Sequence, residues 1–215
     1  MKTKLFFITI ISLIIMLNTR VYARWDSKSA GLTFRSSYWH MDSSPNQIRI
    51  SDDLGTSSVH VGGVGGWLAM FSRYDENVWL EFSIGGVANV NVVEYDMFDE
   101  NVDVQVTTPV LLGIRYDLLN PENPGAFRPY LSVGAGPYWI TDIHVEDRME
   151  EEQVDVNTKL KSGGYTGGGL NFMLSNWCAL NLDMRYHFIN LKPHHPNSGY
   201  EAGLGITFMW GSYQK

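Results

Sequence analysis

Cysteine is nearly missing from this 215-residue sequence, since Cys178 is the only one. A single thiol excludes an internal disulfide framework. Cys178 also lies far from Ala23, so it cannot be the lipidated cysteine that follows a lipoprotein signal. We therefore expect an unreactive side chain that is buried or faces lipid.

Long apolar runs are equally scarce, because the sequence contains one such run, from Leu5 to Leu17. Lys2 and Lys4 precede it and Val21-Tyr22-Ala23 follows it, which is the pattern of a cleaved export signal. The run is too short for a comfortable bilayer span, and nothing after Ala23 approaches 18 consecutive apolar residues. We predict a signal peptide at 1–23 and a single domain at 24–215, with an uncleaved anchor as the alternative.

Basic residues are in deficit, with 16 Lys and Arg against 23 Asp and Glu and a formal net charge of −7. The predicted signal removes Lys2, Lys4 and Arg20 and no acidic residue, so the exported chain is more acidic still. Such a chain is a poor candidate for binding nucleic acid or anionic phosphate directly. The glycine-rich stretch at 62–66 is not followed by a helical pattern, which argues against a phosphate-binding loop.

What the sequence does contain is strict alternation, which is clearest at 178–188. One parity holds Leu180, Leu182, Met184, Tyr186 and Phe188, and the other holds Ala179, Asn181, Asp183, Arg185 and His187. A strand turns successive side chains to opposite faces, so this stretch has one apolar and one charged face. Alternating stretches at 31–39, 59–71, 78–92, 102–117, 128–139, 162–174 and 200–210 bring the number of predicted strands to eight.

The connections between these strands differ in length. Long ones at 41–54, 94–101 and 143–159 are separated by short ones at 73–77 and 175–176 and by moderate ones at 119–126 and 191–198. Outer-membrane barrels have short periplasmic turns, longer outside loops and an even strand number. We predict an all-β protein, a monomeric eight-stranded antiparallel up-and-down transmembrane barrel, in the outer membrane with both termini periplasmic.

The same alternation also permits a soluble, periplasmic lipocalin-like binding barrel, whose apolar faces would point inward. Strand length and the aromatic residues near strand ends favour the membrane alternative. The predicted interfacial aromatic residues are Tyr38, Trp67, Phe71, Tyr116, Trp139, Tyr186, Tyr200, Phe208 and Trp210.

Charged residues within the strands predict the content of the lumen. Eight strands enclose a space just wide enough to be filled by side chains, so we do not expect a wide diffusion pore. Unpaired charges there would be costly, and an ion-paired plug is therefore expected. The predicted luminal residues are Arg35, Glu81, Arg115, Asp183, Arg185 and Glu201.

The connection at 143–159 is the most acidic part of the chain, and we expect it to be an exposed external loop with a role in surface interaction. Its acidic residues are Glu146, Asp147, Glu150, Glu151, Glu152 and Asp155. They lack the D-x-[DN]-x-[DN]-G spacing of a calcium loop. His194 and His195 lie between two prolines and are more typical of a solvated turn than of a metal site. We predict neither metal nor cofactor.

Three stretches in the second half, at 127–139, 167–177 and 181–188, resemble the small outer-membrane β-barrel family that includes OmpA-like, OmpX-like and OmpW-like proteins. They read F-R-P-Y-L-S-V-G-A-G-P-Y-W, G-G-G-L-N-F-M-L-S-N-W and N-L-D-M-R-Y-H-F. The resemblance implies a porin-type barrel whose partners are outer-membrane lipid, lipopolysaccharide and the barrel insertion machinery. Five residues follow Trp210, so no periplasmic peptidoglycan-binding domain is expected.

The last two strands are also similar to the PagL-like lipid A deacylase family, which has an H-x-S-N motif and a downstream acid. The matching residues are R-Y-H-F-I-N at 185–190 and P-N-S-G-Y-E at 196–201. The similarity implies that His187 is a general base and Glu201 its orienting partner. Ile189 occupies the nucleophile position and cannot attack an ester. We predict a non-enzymatic protein, with a lipid A acyl-ester hydrolase or a degenerate relative of one as the alternative.

Overall fold

The fold is known from a computed structural model, in which every regular element is a β-strand. It describes residues 28–41, 47–52, 55–60, 63–96, 99–119, 126–148, 151–190 and 197–212. The predicted signal peptide lies outside these residues. In this part of the chain, no helix is long and apolar enough to cross a membrane.

Ten strands follow one another along the described residues. They are β1 (Ala30–Met41), β2 (Gln47–Asp52), β3 (Gly55–His60), β4 (Gly63–Arg73), β5 (Val78–Asp96), β6 (Asp99–Asp117), β7 (Phe127–Arg148), β8 (Glu151–Met173), β9 (Cys178–Ile189) and β10 (Gly199–Trp210).

Eight of these strands close into a barrel in the order β1-β4-β5-β6-β7-β8-β9-β10, with antiparallel neighbours throughout. Strand β10 returns to pair with β1, from Ala30 opposite Trp210 to Met41 opposite Gly199. The predicted all-β eight-stranded antiparallel barrel is therefore confirmed. Closure leaves no free strand edge along the part of the wall that all eight strands share.

The remaining strands, β2 and β3, form a hairpin, in which β2 lies within the connection that we predicted at 41–54 and β3 follows it. One parallel pair, Arg49 with Val93, joins this hairpin to β5 near the end of that strand at Asp96. The prediction of a strand at 59–71 was therefore wrong at its start, since β3 ends at His60 and β4 begins at Gly63.

The barrel wall has unequal heights. Strands β1, β9 and β10 have 12 residues each, whereas β7 has 22 and β8 has 23. Twelve residues at a tilt of about 45° rise about 28 Å, close to the apolar band of about 25 Å in outer-membrane barrels. Residues 141–148 of β7 and 151–162 of β8 therefore project beyond the band, and we call them the β7–β8 extension. The first part of β6, from Glu100 to Val106, pairs with the β7 strand of this extension.

Two segments that we predicted to be loops are strands in the structure. The connection predicted at 143–159 is almost wholly strand, and the one predicted at 94–101 is mostly the ends of β5 and β6. Alternating apolar residues such as Val154 and Val156 support a ladder there, and charges on an exposed sheet stay solvated. Acidic composition was thus a misleading sign of a loop.

The two faces of the wall have opposite chemistry. Outward side chains are apolar and exposed, as with Leu112 at 68% and Met184 at 64%, whereas inward Arg115 and Arg185 are 2% and 3% exposed. A soluble barrel has the reverse arrangement, because its apolar side chains must leave water. Burial therefore favours the membrane alternative over the lipocalin-like one.

Strand β4 departs from the predicted orientation. Trp67 and Phe71, which we placed at the membrane interface, point inward and are each 4% exposed, while Val64 and Met70 face out. Gly85 on the neighbouring strand makes room for the indole, because a β-carbon there would lie 2.5 Å from Trp67 Cδ2. The interior of the barrel thus accepts aromatic as well as charged side chains.

Candidate functional site

The barrel interior is layered along its axis. A rim cluster lies towards the β7–β8 extension and contains Trp39, Met41, Trp67, Val87, Leu111, Tyr138, Ile140, Tyr165 and Ile189. A terminal cluster lies towards the end that holds Ala30 and Trp210, and contains Phe71, Trp79, Met173, Ala179 and Met209. Charged side chains occupy the level between these clusters, which shield them from water at both ends.

Asp183 on β9 is the centre of this charged level. Its carboxylate accepts from Arg35 Nη1 at 2.6 Å and from Arg185 Nε at 2.7 Å. Tyr130 OH donates to its other oxygen at 2.5 Å. Such charge-assisted bonds offset the large cost of burying an ionised carboxylate.

Arg185 extends the network to the opposite wall. Its Nη2 lies 2.9 Å from Glu81 Oε1 on β5, four strands away around the barrel. Tyr165 OH donates to the same carboxylate oxygen at 3.2 Å, and the centroid of its ring lies 4.3 Å from the guanidinium carbon of Arg185. The bond between β9 and β5 is therefore a cross-brace through the lumen.

Arg35 links this network to Glu201 on β10. Its Nη2 lies 3.5 Å from Glu201 Oε2, and the same oxygen lies 2.9 Å from His187 Nε2. His187 Nδ1 lies 2.9 Å from Tyr138 OH. Because an ionised carboxylate only accepts hydrogen bonds, a neutral imidazole beside Glu201 would carry its proton on Nε2 and leave Nδ1 as an acceptor for the Tyr138 hydroxyl. Both ring nitrogens are therefore engaged.

Aromatic rings enclose the His187 imidazole, which is fully buried. Ring centroids lie 4.2 Å away for Trp39, 5.7 Å for Trp67 and 5.9 Å for Tyr165. A general base needs a nitrogen within reach of a substrate proton. In this site the imidazole is inside the lumen, and neither of its nitrogens is open to a lipid on the outer surface.

Arg115 belongs to a separate group nearer the terminal end. Its Nη2 lies 3.0 Å from Asp117 Oδ1, and Trp79 Nε1 donates to Asp117 Oδ2 at 3.0 Å. The guanidinium lies 3.9 Å from the centroid of the Tyr130 ring. The six predicted luminal residues are thus all buried, with five in one network and Arg115 connected to it through Tyr130.

Several interior residues were not predicted from the sequence. Arg73 and Arg128 are 8% and 1% exposed, and Trp39 and Trp79 are fully buried. Arg73 had been assigned to a turn, although it is the last residue of β4. The parity of Arg128 relative to Tyr130 could have revealed its inward direction, because residues two apart share a face.

Side chains cross the mouth of the barrel that lies beside the β7–β8 extension. Asn197, which precedes β10, donates to Gln105 Oε1 on β6 at 2.6 Å, and Gln105 Nε2 donates to Asp142 Oδ1 at 2.7 Å. Lys159 Nζ lies 3.3 Å from Asp142 Oδ2. Ser198, buried beside Asn197, accepts from the Ile189 backbone N–H at 2.9 Å. The start of β10 is therefore tied across the mouth to β6 and β7.

The acidic residues that we predicted to form one loop lie in the two strands of the β7–β8 extension. Glu146 and Asp147 lie in β7, and Glu151, Glu152 and Asp155 lie in β8, whereas Glu150 falls outside the described residues. Asp155 is exposed. His194 and His195 also fall outside the described residues, within which no cluster of His, Cys, Asp or Glu has the arrangement of a metal site.

Comparison with protein-family models and with curated proteins gives no match. Among solved structures, the chain is similar to Ail, the attachment invasion locus protein of Yersinia pestis, in complex with the heparin analogue sucrose octasulfate. The TM-score is 0.50 at 10% identity, covering 86% of this chain and 99% of that one.

Two further solved structures are similar at lower scores. Neisserial surface protein A has a TM-score of 0.43 at 12% identity, covering 84% of this chain and 97% of that one. The N-terminal β-barrel domain of Pseudomonas aeruginosa OprF has a TM-score of 0.43 at 11% identity, covering 86% and 99%. At such low identity the likeness to Ail concerns the fold, which is that of a small eight-stranded outer-membrane barrel.

Proposed function

We propose that this chain is an integral outer-membrane protein with a sealed lumen, and that it serves envelope structure and surface interaction rather than solute passage or catalysis. Its termini face the periplasm, and the β7–β8 extension stands at the cell surface. The observation that carries this proposal is the cross-brace from Arg185 to Glu81, because an ion pair between opposite walls obstructs a continuous water path. The apolar clusters above and below it add two further barriers.

The composition of the outer surface supports the membrane assignment. Apolar side chains such as Phe34, Leu80 and Leu131 are half exposed around the wall, an arrangement that is stable against lipid. Outer-membrane lipid and lipopolysaccharide are therefore its direct surroundings, and the barrel insertion machinery its route of assembly. The acidic balance of the chain argues against a polyanionic ligand for its surface.

Conductance in a planar lipid bilayer tests the sealed lumen. We expect the purified, folded protein to produce no stable open channel, because the charged level and both clusters fill the cross-section. The double variant Glu81→Ala/Arg185→Ala removes the cross-brace and is the matched comparison, for which we expect brief conducting events. A steady, ion-conducting channel in the unmodified protein would contradict the proposal.

Lipid A deacylation is the second candidate, favoured by the 2.9 Å contact between His187 and Glu201. Nucleophilic hydrolysis also needs an attacking group, and Ile189 cannot supply one. We expect the mass spectrum of lipid A from cells that express this protein to match a vector control. Loss of one acyl chain, abolished in His187→Ala, would instead establish a deacylase.

A further inference from the structure

The β7–β8 extension has one open strand edge. Strand β9 pairs with β8 only between Gly163 and Met173, and the Asn190 backbone N–H donates to the Ser162 carbonyl just beyond it. Among the described residues, no strand pairs with 151–161 on the side away from β7. At the other side of the projecting sheet, β5 carries the β2–β3 hairpin next to it. An open edge of this length presents a row of backbone donors and acceptors, which is a template for another strand.

The segment at 191–196 does not suit the role of that strand. It reads L-K-P-H-H-P, and two prolines in six residues lack the N–H donors that a ladder needs. It is also too short to cover the whole edge. A partner strand must therefore complement the sequence of the edge itself.

The edge is complementary to a second copy of itself in antiparallel orientation. If Thr158 lies opposite Thr158 of a second copy, then Asp155 faces Lys161 and Val156 faces Leu160 in both halves of the pair. Charged residues then share one face and apolar residues the other, because positions of equal parity meet. Val156 and Leu160 are 57% and 64% exposed in the single chain, so their mutual contact would remove apolar surface from water.

A parallel, in-register arrangement lacks this complementarity. Asp155 would then face Asp155, and Lys161 would face Lys161, which is unfavourable on neighbouring strands. Lys159 would likewise face Lys159, whereas the antiparallel arrangement sets it opposite Asn157. The charges therefore select the antiparallel pairing.

Membrane geometry determines where such a pair can form. Two copies in one membrane point their extensions in the same direction, and their edge strands run with the same polarity. Copies in two opposed membranes point towards each other, and their edge strands run antiparallel. We infer that the β8 edge at 155–161 is a homotypic adhesion strand that joins two copies of this chain from facing membranes.

Clustering of phosphatidylcholine vesicles that carry the purified, folded full-length protein tests this inference by light scattering. Barrels that insert in either direction expose the extension on some vesicles, so the result does not depend on the proposed periplasmic position of the termini. We expect a several-fold rise in particle size for the unmodified protein. Asp155→Lys and Lys161→Asp should each abolish it, because like charges then meet.

A mixture of the two single variants provides the decisive comparison. The Asp155→Lys copy presents lysine at both positions of the pair, and the Lys161→Asp copy presents aspartate at both. Mixed vesicles should therefore cluster although neither population clusters alone. The double variant Asp155→Lys/Lys161→Asp should cluster by itself. Heat-modifiable gel migration confirms that each variant is folded.

Three results would overturn the adhesion strand: an unmodified protein that does not cluster vesicles, single variants that still cluster, or a mixture that stays dispersed. None of these results affects the sealed lumen, which conductance tests separately. Clustering should also weaken as salt rises, since exposed charges are screened.

Discussion

Asp183 receives donors from three different strands, through Arg35 on β1, Arg185 on its own strand β9 and Tyr130 on β7. Each donor is itself buried, so none of them can exchange this partner for water. Loss of one member therefore leaves the others with unmet hydrogen-bonding capacity. The lumen is consequently sensitive to changes that alter charge but not shape.

Glu81→Gln tests that sensitivity. The amide keeps the size of the side chain but removes the negative charge that lies 2.9 Å from Arg185. We expect the free energy of unfolding to fall by about 1–3 kcal/mol, the usual cost of an unsatisfied buried polar group. Urea-dependent unfolding in lipid vesicles, followed by tryptophan fluorescence, measures the change.

Asp155→Asn is the matched control, because it removes the same charge from an exposed position on the extension. Its effect on unfolding should stay within about 0.5 kcal/mol. Equal losses for the two variants would show that overall charge, rather than the luminal network, determines stability.

Residue chemistry explains which parts of the lumen could be predicted. Arg35, Glu81 and Asp183 alternate with apolar neighbours, and a charge inside an apolar strand can face only the lumen. The partners could not be predicted, because Arg185 and Glu81 are 104 residues apart and only barrel closure brings them together. His187 shares its parity with Asp183 and Arg185, which predicts an inward direction, but nothing in the neighbouring sequence indicates the aromatic rings that surround it.

Strand β9 has an uninterrupted apolar outer face, on which Leu182 and Met184 are 49% and 64% exposed. Met184 lies near the middle of a strand that just spans the apolar band. Leu160 is equally exposed, at 64%, but lies on the extension. The two positions therefore have the same exposure and different expected surroundings.

Met184→Arg should destabilise the barrel by about 2–4 kcal/mol, because a charge at the bilayer midplane loses its hydration. Leu160→Arg should cost about 1 kcal/mol or less, since its side chain remains in water or at the interface. Urea-dependent unfolding in vesicles of the same lipid compares the two variants. A large cost at both positions would place the extension inside the apolar band.

Element boundaries were predictable where the two faces differ and unpredictable where they do not. Strand β10 alternates cleanly, and its predicted bounds of 200–210 differ from Gly199–Trp210 by one residue. In β4 both faces are apolar, and the choice of the inner one depends on the space that Gly85 leaves for Trp67. That space is a tertiary property, which the sequence of β4 does not contain.

At the scale of the whole molecule, the extension and the barrel wall are structurally separable. Asp142 and Asn157 face each other across β7 and β8. From this pair to Phe127 opposite Phe172, the two strands pair without a register shift. Joining these two residues through an Asn-Gly turn would remove the tip and keep the wall intact.

We expect the free energy of unfolding of this shortened chain to lie within about 1 kcal/mol of that of the full-length protein, because surface changes away from the core have small effects. Heat-modifiable migration and urea-dependent unfolding measure it. It should also lose vesicle clustering while keeping a closed lumen. Failure of the shortened chain to fold would show that the extension is needed to complete the barrel.

The pairing of β1 with β10 joins Ala30 to Trp210, nearly the whole described chain apart. Pairing over so great a sequence separation is slow, because the ends of a long chain must first find each other. We therefore expect this β1–β10 pairing to be the last part of the barrel to form, and its opening would free two strand ends from which unfolding can proceed. We expect the lifetime of the folded protein in detergent or in a membrane to depend on the rate at which the closed sheet opens, so that it can be long even where the equilibrium stability is modest.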